Sequence, residues 1–203
     1  MFKLNILTQI VFANKSKGET MELKFRLLEH PFYQAWNCGE ISEERLANYA
    51  NSYNEFIDRI PDYWTKIVNE LGADKNMGNI IIEEETDHIS LWHKWSKNLP
   101  EAADYPRMND LINGFDDMTA SELLGAVHAF EIQQPEVAAT KKKGLLEHYG
   151  FSEEDVTYFD EHENEDEHIA FGSELATNNA KDNEFQRGFD KGSKLIYESL
   201  NLF

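Results

Sequence analysis

Residues 119–144 read TASELLGAVHAFEIQQPEVAATKKKG. Thr119 followed three positions later by Glu122 is the reciprocal helix-start signature, in which a hydroxyl and a carboxylate each satisfy an otherwise unpaired backbone N–H. Leu123, Leu124, Val127 and Phe130 then make a long apolar helix, kinked or locally broken at Pro135 and expected to end near Gly144. Glu131 sits in this run among Ala126, Val127, Ala129, Phe130 and Ile132. A carboxylate in such surroundings is rarely buried unless it is paired or ligated. Glu131 is therefore either an exposed acid on the polar edge of the helix or a ligand.

The remainder of the chain after Met21 has the same helical character. Pro31 suits a first helical turn, and Ser42 with Glu43 and Glu44 behind it suits an N-cap. Leu46, Tyr49, Tyr53, Phe56 and Ile57 fall at helical spacing up to Pro61, and Tyr63, Trp64, Ile67 and Leu71 continue to Gly72. A third helix is predicted over about 76–98, a short one over 108–115, and another from the capping pattern at Ser152 to about Thr177. Asp182 is expected to cap the last. Strand alternation, a Gly-rich phosphate loop and internal repeats are missing from the pattern, which predicts an all-α bundle of about seven helices. Residues 1–20 are expected to be an extension without chemistry, and 21–203 the helical domain.

With 38 acidic against 19 basic residues, the formal net charge of −19 argues against nucleic acid or an anionic membrane as partner. Cys38 is the only cysteine, so no intrachain disulfide can form and a cytoplasmic home is expected.

Two further segments carry ligand chemistry. In Glu83-Glu84-Glu85-Thr86-Asp87-His88, either Glu84 or Glu85 shares a helix face with His88. In residues 158–170, YFDEHENEDEHIA, His162 shares a face with Glu165 or Asp166, and Glu165 with His168. Imidazole with carboxylate oxygen suits iron, manganese or zinc. Two Glu-x-x-His pairs on different helices plus Glu131 form the carboxylate-bridged dinuclear pattern of helix bundles, which Glu55 would complete in a ferritin-like reading. His30 is read as fixing a helix start, His93 and His148 as surface residues, and His128 as an outside candidate.

Leu28-Glu-His-Pro-Phe-Tyr-Gln-Ala-Trp36, Phe130-Glu-Ile-Gln-Gln-Pro-Glu-Val137, Lys141-x-x-Gly144-Leu and Tyr158-Phe159-x-x-His162 together resemble the haem-oxygenase-like di-iron oxidase branch of the TenA/PqqC superfamily. The resemblance covers roughly residues 22–200 and implies two Fe(II) ions, or manganese, without haem. It places the ligands on Glu84 or Glu85, His88, Glu131, His162, Glu165 or Asp166, and His168, making Glu55 unnecessary. It also implies O2 and a small-molecule substrate as partners, a bridging role for Glu131, and a homodimer. One departure stands out: the branch spaces its last two histidines seven apart, whereas His162 and His168 are six apart. At about 100° per residue, six positions leave the pair about 120° apart on a straight helix. Glu165 taking the acid's role, a π-bulge, or loss of one histidine would each answer this.

Within the branch, the chain is similar to the chlamydial para-aminobenzoate synthases that consume their own side chains. That likeness implies Tyr33 and Tyr49 as tyrosine-derived precursor or radical relay and Lys141 as amino donor. A metal-free TenA-like enzyme or a ligand-binding scaffold of the same fold is the alternative; the former is disfavoured because its late-chain cysteine nucleophile has no counterpart beyond Cys38.

Overall fold

The computed structural model describes residues 22–203 apart from 101 and 103, so the expected extension 1–20 lies outside the described residues. The described residues form ten α-helices and two short 3-10 turns, with no strand among them. The helices are α1 (Pro31–Asn37), α2 (Glu43–Ile57), α3 (Ile60–Leu71), α4 (Lys75–Ser96), α5 (Asn109–Asp116), α6 (Ala120–Glu131), α7 (Gln134–His148), α8 (Thr157–His162), α9 (Asp166–Asn178) and α10 (Asp182–Ser199). The 3-10 turns are Leu27–Glu29 and Leu200–Leu202.

Seven expected helices become ten because three of them divide in two. Pro61 and Pro135 each fall in the first turn of a new helix, α3 and α7. A missing N–H breaks no bond there, so these prolines start helices rather than kink them. The third division needs no proline. After His162 the chain tightens, Asn164 N donating to Glu161 O at 3.1 Å, and α9 restarts with Ile169 N donating to Glu165 O at 3.0 Å.

The other helix ends follow their local signals in part. The Thr119–Glu122 box is complete: Glu122 N donates to Thr119 Oγ1 (3.3 Å) and Thr119 N to Glu122 Oε2 (3.1 Å). His30 does fix a helix start, its Nδ1 accepting from Phe32 N at 3.1 Å. Ser152 and Asp155 instead close a turn, and the helix begins only at Thr157. Asp182 is the first residue of α10 rather than its cap. Gly144 does not end α7, which runs to His148; a Cβ there would lie 2.5 Å from the Trp36 indole, so this glycine makes room for a ring.

Helix α6 is buried along nearly its whole length and packs most extensively on α10, with α3, α7 and α9 also against it. The α6–α10 seam brings backbone against backbone. A Cβ on Gly188 would come within 1.8 Å of Glu122 O, and one on Gly125 within 2.1 Å of Phe185 O. Trp36, Trp64, Trp92 and Trp95 are fully buried. Among the described residues no helix is long and apolar enough to cross a membrane.

Because neither backbone can yield easily, Gly188→Ala is expected to destabilise the fold by about 3 kcal/mol or more, at the upper end of overpacking effects. Urea unfolding measures this, and a loss of only a few tenths of a kcal/mol would show that the seam opens readily.

Candidate metal centre

Six side chains converge where α4, α6, α8 and α9 meet: Glu85 and His88 from α4, Glu131 at the end of α6, His162 at the end of α8, Glu165 from the turn, and His168 from α9. Glu85 reaches two imidazoles, with Oε2 3.4 Å from His88 Nδ1 and Oε1 3.2 Å from His168 Nδ1. Glu165 also reaches two, with Oε1 3.5 Å from His162 Nε2 and Oε2 3.1 Å from His168 Nδ1. Glu131 Oε1 lies 4.0 Å from His168 Nδ1, and the rings of His88 and His162 are 4.4 Å apart. Two trios, Glu85 with His88 and His162, and Glu85 with Glu131 and His168, each offer ligand atoms within 4.8 Å of one another. Glu85 is common to both, whereas the expected bridge, Glu131, belongs to one.

The break between α8 and α9 resolves the histidine spacing without a π-helix. Leaving the helix after His162 and re-entering it at Asp166 lets both histidines turn inward with Glu165 between them. Asp166, one residue on, is exposed and stands outside both trios. Glu84 also stands outside them: its half-exposed carboxylate instead meets the far nitrogen of His168, Nε2, at 3.1 Å. Glu84 thereby holds the ring with Nδ1 facing inward, as outer carboxylates orient metal-binding histidines. His162 Nδ1 donates to Tyr158 O at 2.7 Å, which leaves Nε2 as the inward nitrogen. Glu55 is elsewhere, paired with Arg107 and Tyr105, and cannot complete a ferritin-like set. His128 is buried against Phe185, outside both trios, and burial holds its pKa down at about 4.

Three buried carboxylates in one place demand a cation. Burial, with Glu165 and Glu85 nearby, pushes Glu131 well above the usual carboxylate range, although His168 and Trp64 act against it. Burial opposes charge on His168, but Glu165 and Glu85 overcome it and hold its pKa at about 12. Burial likewise opposes ionisation of Glu85, yet His168 and His88 bring it down to about 2. Trp64 Nε1 donates to Glu131 Oε1 at 3.0 Å, while Glu131 Oε2 and His88 Nδ1 are buried without a hydrogen-bond partner. Unmatched donor atoms of this kind, in a mixed imidazole and carboxylate set, fit a divalent iron or manganese ion.

Beside the centre, Lys141 is 2% exposed and points its amine into aromatic rings. Nζ lies 4.9 Å from the ring centre of Tyr53, 5.2 Å from Tyr49, 5.6 Å from Tyr33 and 5.8 Å from Trp92. Lys141, Tyr33 and Tyr49, three residues far apart in sequence, are thus brought together. Burial pushes all the phenols of the cage up and the amine down, the latter to about 7. Sequence reasoning missed Tyr53, Tyr158 and Trp64. Tyr53 is four residues after Tyr49 and Tyr158 four before His162, spacings that share a helix face and would have flagged them. Nothing in the sequence marks Trp64 as the donor to Glu131. Cys38 is exposed at the end of α1 and contributes nothing to this interior.

Acids and imidazoles from separate helices, gathered around a buried point in an all-helical bundle, define a non-haem metalloenzyme. A family profile described as iron-containing redox enzyme, of haem-oxygenase-like type, matches residues 61–195, and the chain belongs to that family. It is an oxidoreductase, and iron is the metal its family implies. Among characterised proteins it is similar to 4-aminobenzoate synthases from Chlamydia muridarum (33% identical, over 69% of this chain and 67% of the relative) and Chlamydia trachomatis (31%, over 69% and 68%). The 4-aminobenzoate synthase of Nitrosomonas europaea is 30% identical over 69% of this chain and 68% of its own.

Two outcomes are expected. Anaerobic Fe(II) titration of Glu84→Ala should show affinity lowered by about 10–100-fold, the usual effect of losing an outer partner, with Asp166→Ala near wild type; equal behaviour of the two variants would remove Glu84 from the site. For Lys141, a drop from 10.5 to about 7 penalises the charged amine by on the order of 5 kcal/mol, part of which the rings return by cation–π attraction. The folded pKa lies below the unfolded one, so the unfolded chain binds the extra proton between about pH 7 and 10.5 and stability rises with pH across that window. Urea unfolding of Lys141→Met should lose that rise.

Proposed function

We propose that the centre binds two ferrous ions and that the protein uses O2 to convert its own buried side chains into 4-aminobenzoate, the product named for its relatives. The observation that carries this reading is the amine of Lys141 lodged among Tyr33, Tyr49, Tyr53 and Trp92, with Trp92 in turn against Tyr158, which stacks on His162 of the metal centre. A primary amine beside a para-hydroxylated ring supplies the two chemical elements of an aminobenzoate: nitrogen and a para-substituted aromatic carbon frame.

In this reading Glu85, His88 and His162 hold one ion, and Glu85, Glu131 and His168 the other, with Glu165 spanning the two later histidines. Bound iron supplies the one-electron and dioxygen chemistry that no side chain offers. Trp64 orients Glu131, the Tyr158 carbonyl sets the inward nitrogen of His162, and Glu84 sets that of His168. Burial keeps a large fraction of Lys141 as the free amine near neutral pH, with its lone pair available. Tyr33 or Tyr49 supplies the ring. The packed rings around Nζ exclude water from the reacting groups. Manganese as the alternative to iron, a homodimer and a cytoplasmic home belong to the same reading, supported by the ligand set, the family likeness and the lone cysteine.

The test is to load the protein anaerobically with Fe(II), expose it to O2 with a reductant, and analyse both small molecules and the chain by mass spectrometry. About two irons per chain are expected, as in other two-metal sites, together with 4-aminobenzoate and a chain that has lost the corresponding mass. Lysine labelled with heavy nitrogen should pass its label to the product, and Lys141→Met should make none. Iron uptake without 4-aminobenzoate would leave an oxidase acting on another substrate.

A further inference from the structure

Between the metal centre and the Lys141 cage runs an unbroken series of oxidisable rings. Tyr158 stacks on His162, with ring centres 4.0 Å apart and planes 29° apart. Tyr158 also meets Trp92, 5.0 Å away and edge-on. Trp92 lies 5.3 Å from Tyr53, and Tyr53 stacks on Tyr49 at 5.2 Å and 29°. Each separation is within the range of direct aromatic contact. All four rings are at most 2% exposed, so none is open to solvent reductants. Packing alone does not ask for this composition, since phenylalanine or leucine fills a core without a buried hydroxyl to accommodate.

We infer that Tyr158, Trp92 and Tyr53 form an electron relay that joins Tyr49, beside Lys141, to the residues that would hold iron. The inference rests on the dioxygen-using reading of the centre. The step balances as follows. One electron leaves the Tyr49 phenol and travels through Tyr53, Trp92 and Tyr158 to the ring of His162, where bound iron, with O2 as the oxidant, would take it up. The phenolic O–H bond breaks with it; the Tyr49 hydroxyl is buried without a hydrogen-bond partner, and its proton passes to the free amine of Lys141 once Nζ closes on it, leaving a neutral phenoxyl radical and an ammonium. Lys141 is the basic group available inside the cage, its amine 5.2 Å from the Tyr49 ring centre. Trp92 keeps its own proton on the bond from Nε1 to Ala50 O at 3.1 Å, an acceptor that does not take a proton, so it carries charge through its ring.

Freeze-quenched samples of Fe(II)-loaded protein exposed to O2, examined by electron paramagnetic resonance, test the relay. Wild type should give a tyrosyl-type radical, with ring-deuterated tyrosine narrowing its signal. Tyr158→Phe and Trp92→Phe should lose the signal while binding iron as wild type does in an anaerobic titration, and Trp92→Tyr should restore part of it. Circular dichroism confirms that each variant is folded, and Tyr158→Phe keeps nearly the same shape should Trp92→Phe fail to fold. An undiminished radical in a folded, iron-loaded Tyr158→Phe or Trp92→Phe would overturn the relay while leaving the oxidase reading intact. So would O2 consumption without any organic radical in wild type. Failure of wild type to take up iron would overturn both.

Discussion

The rest of the molecule is arranged around one demanding fact: Glu85, Glu131 and Glu165 are buried together in the middle of the bundle. Anions do not sit in apolar cores unless something answers them. Here each answer comes from a different helix. His88 shares α4 with Glu85, His168 reaches in from α9, and His162 arrives from α8. The acids therefore tie four helices to one point, and the positions of those helices are set by the cluster as much as by the apolar core.

Glu131 depends most on its scaffold. It ends α6, the most completely buried helix, and that helix can sit at the centre because Gly125 and Gly188 let α10 approach to backbone contact. Pro135 then starts a new helix instead of extending the old one, so α6 stops with Glu131 at its tip. A carboxylate at a helix C-terminus meets the unfavourable end of the helix dipole. The Trp64 indole N–H relieves part of that, and the imidazole of His168 supplies an opposing charge.

Much of this could be read from the chain. Periodicity and capping residues marked the helices, and Glu131 betrayed itself by its apolar neighbours. The Glu-x-x-His pairs were legible because spacing of three defines a helix face. Adjacent alternatives were not: Glu84 and Glu85 differ by one position on the same helix, and only the packing of α4 against α8 turns Glu85 inward and leaves Glu84 at the rim. The break at residues 163–165 was invisible for a similar reason. It has no proline or glycine to announce it and follows from the pull of two histidines toward one point. Tyr53 and Tyr158 were passed over because a buried aromatic reads as core whatever else it touches.

That break also bears on how such sites persist through change in sequence. A pattern defined by residue spacing treats the loss of one position between two ligands as the loss of the site. In this chain the six-residue interval between His162 and His168 is accommodated by a few non-helical residues, and Glu165 points inward between the two rings. What such a site requires is the meeting point of the side chains in space; the helix that carries them can be interrupted, as it is between α8 and α9. Searches that demand fixed intervals will pass over chains of this kind, whereas searches that tolerate an interrupted helix at the ligands will recover them.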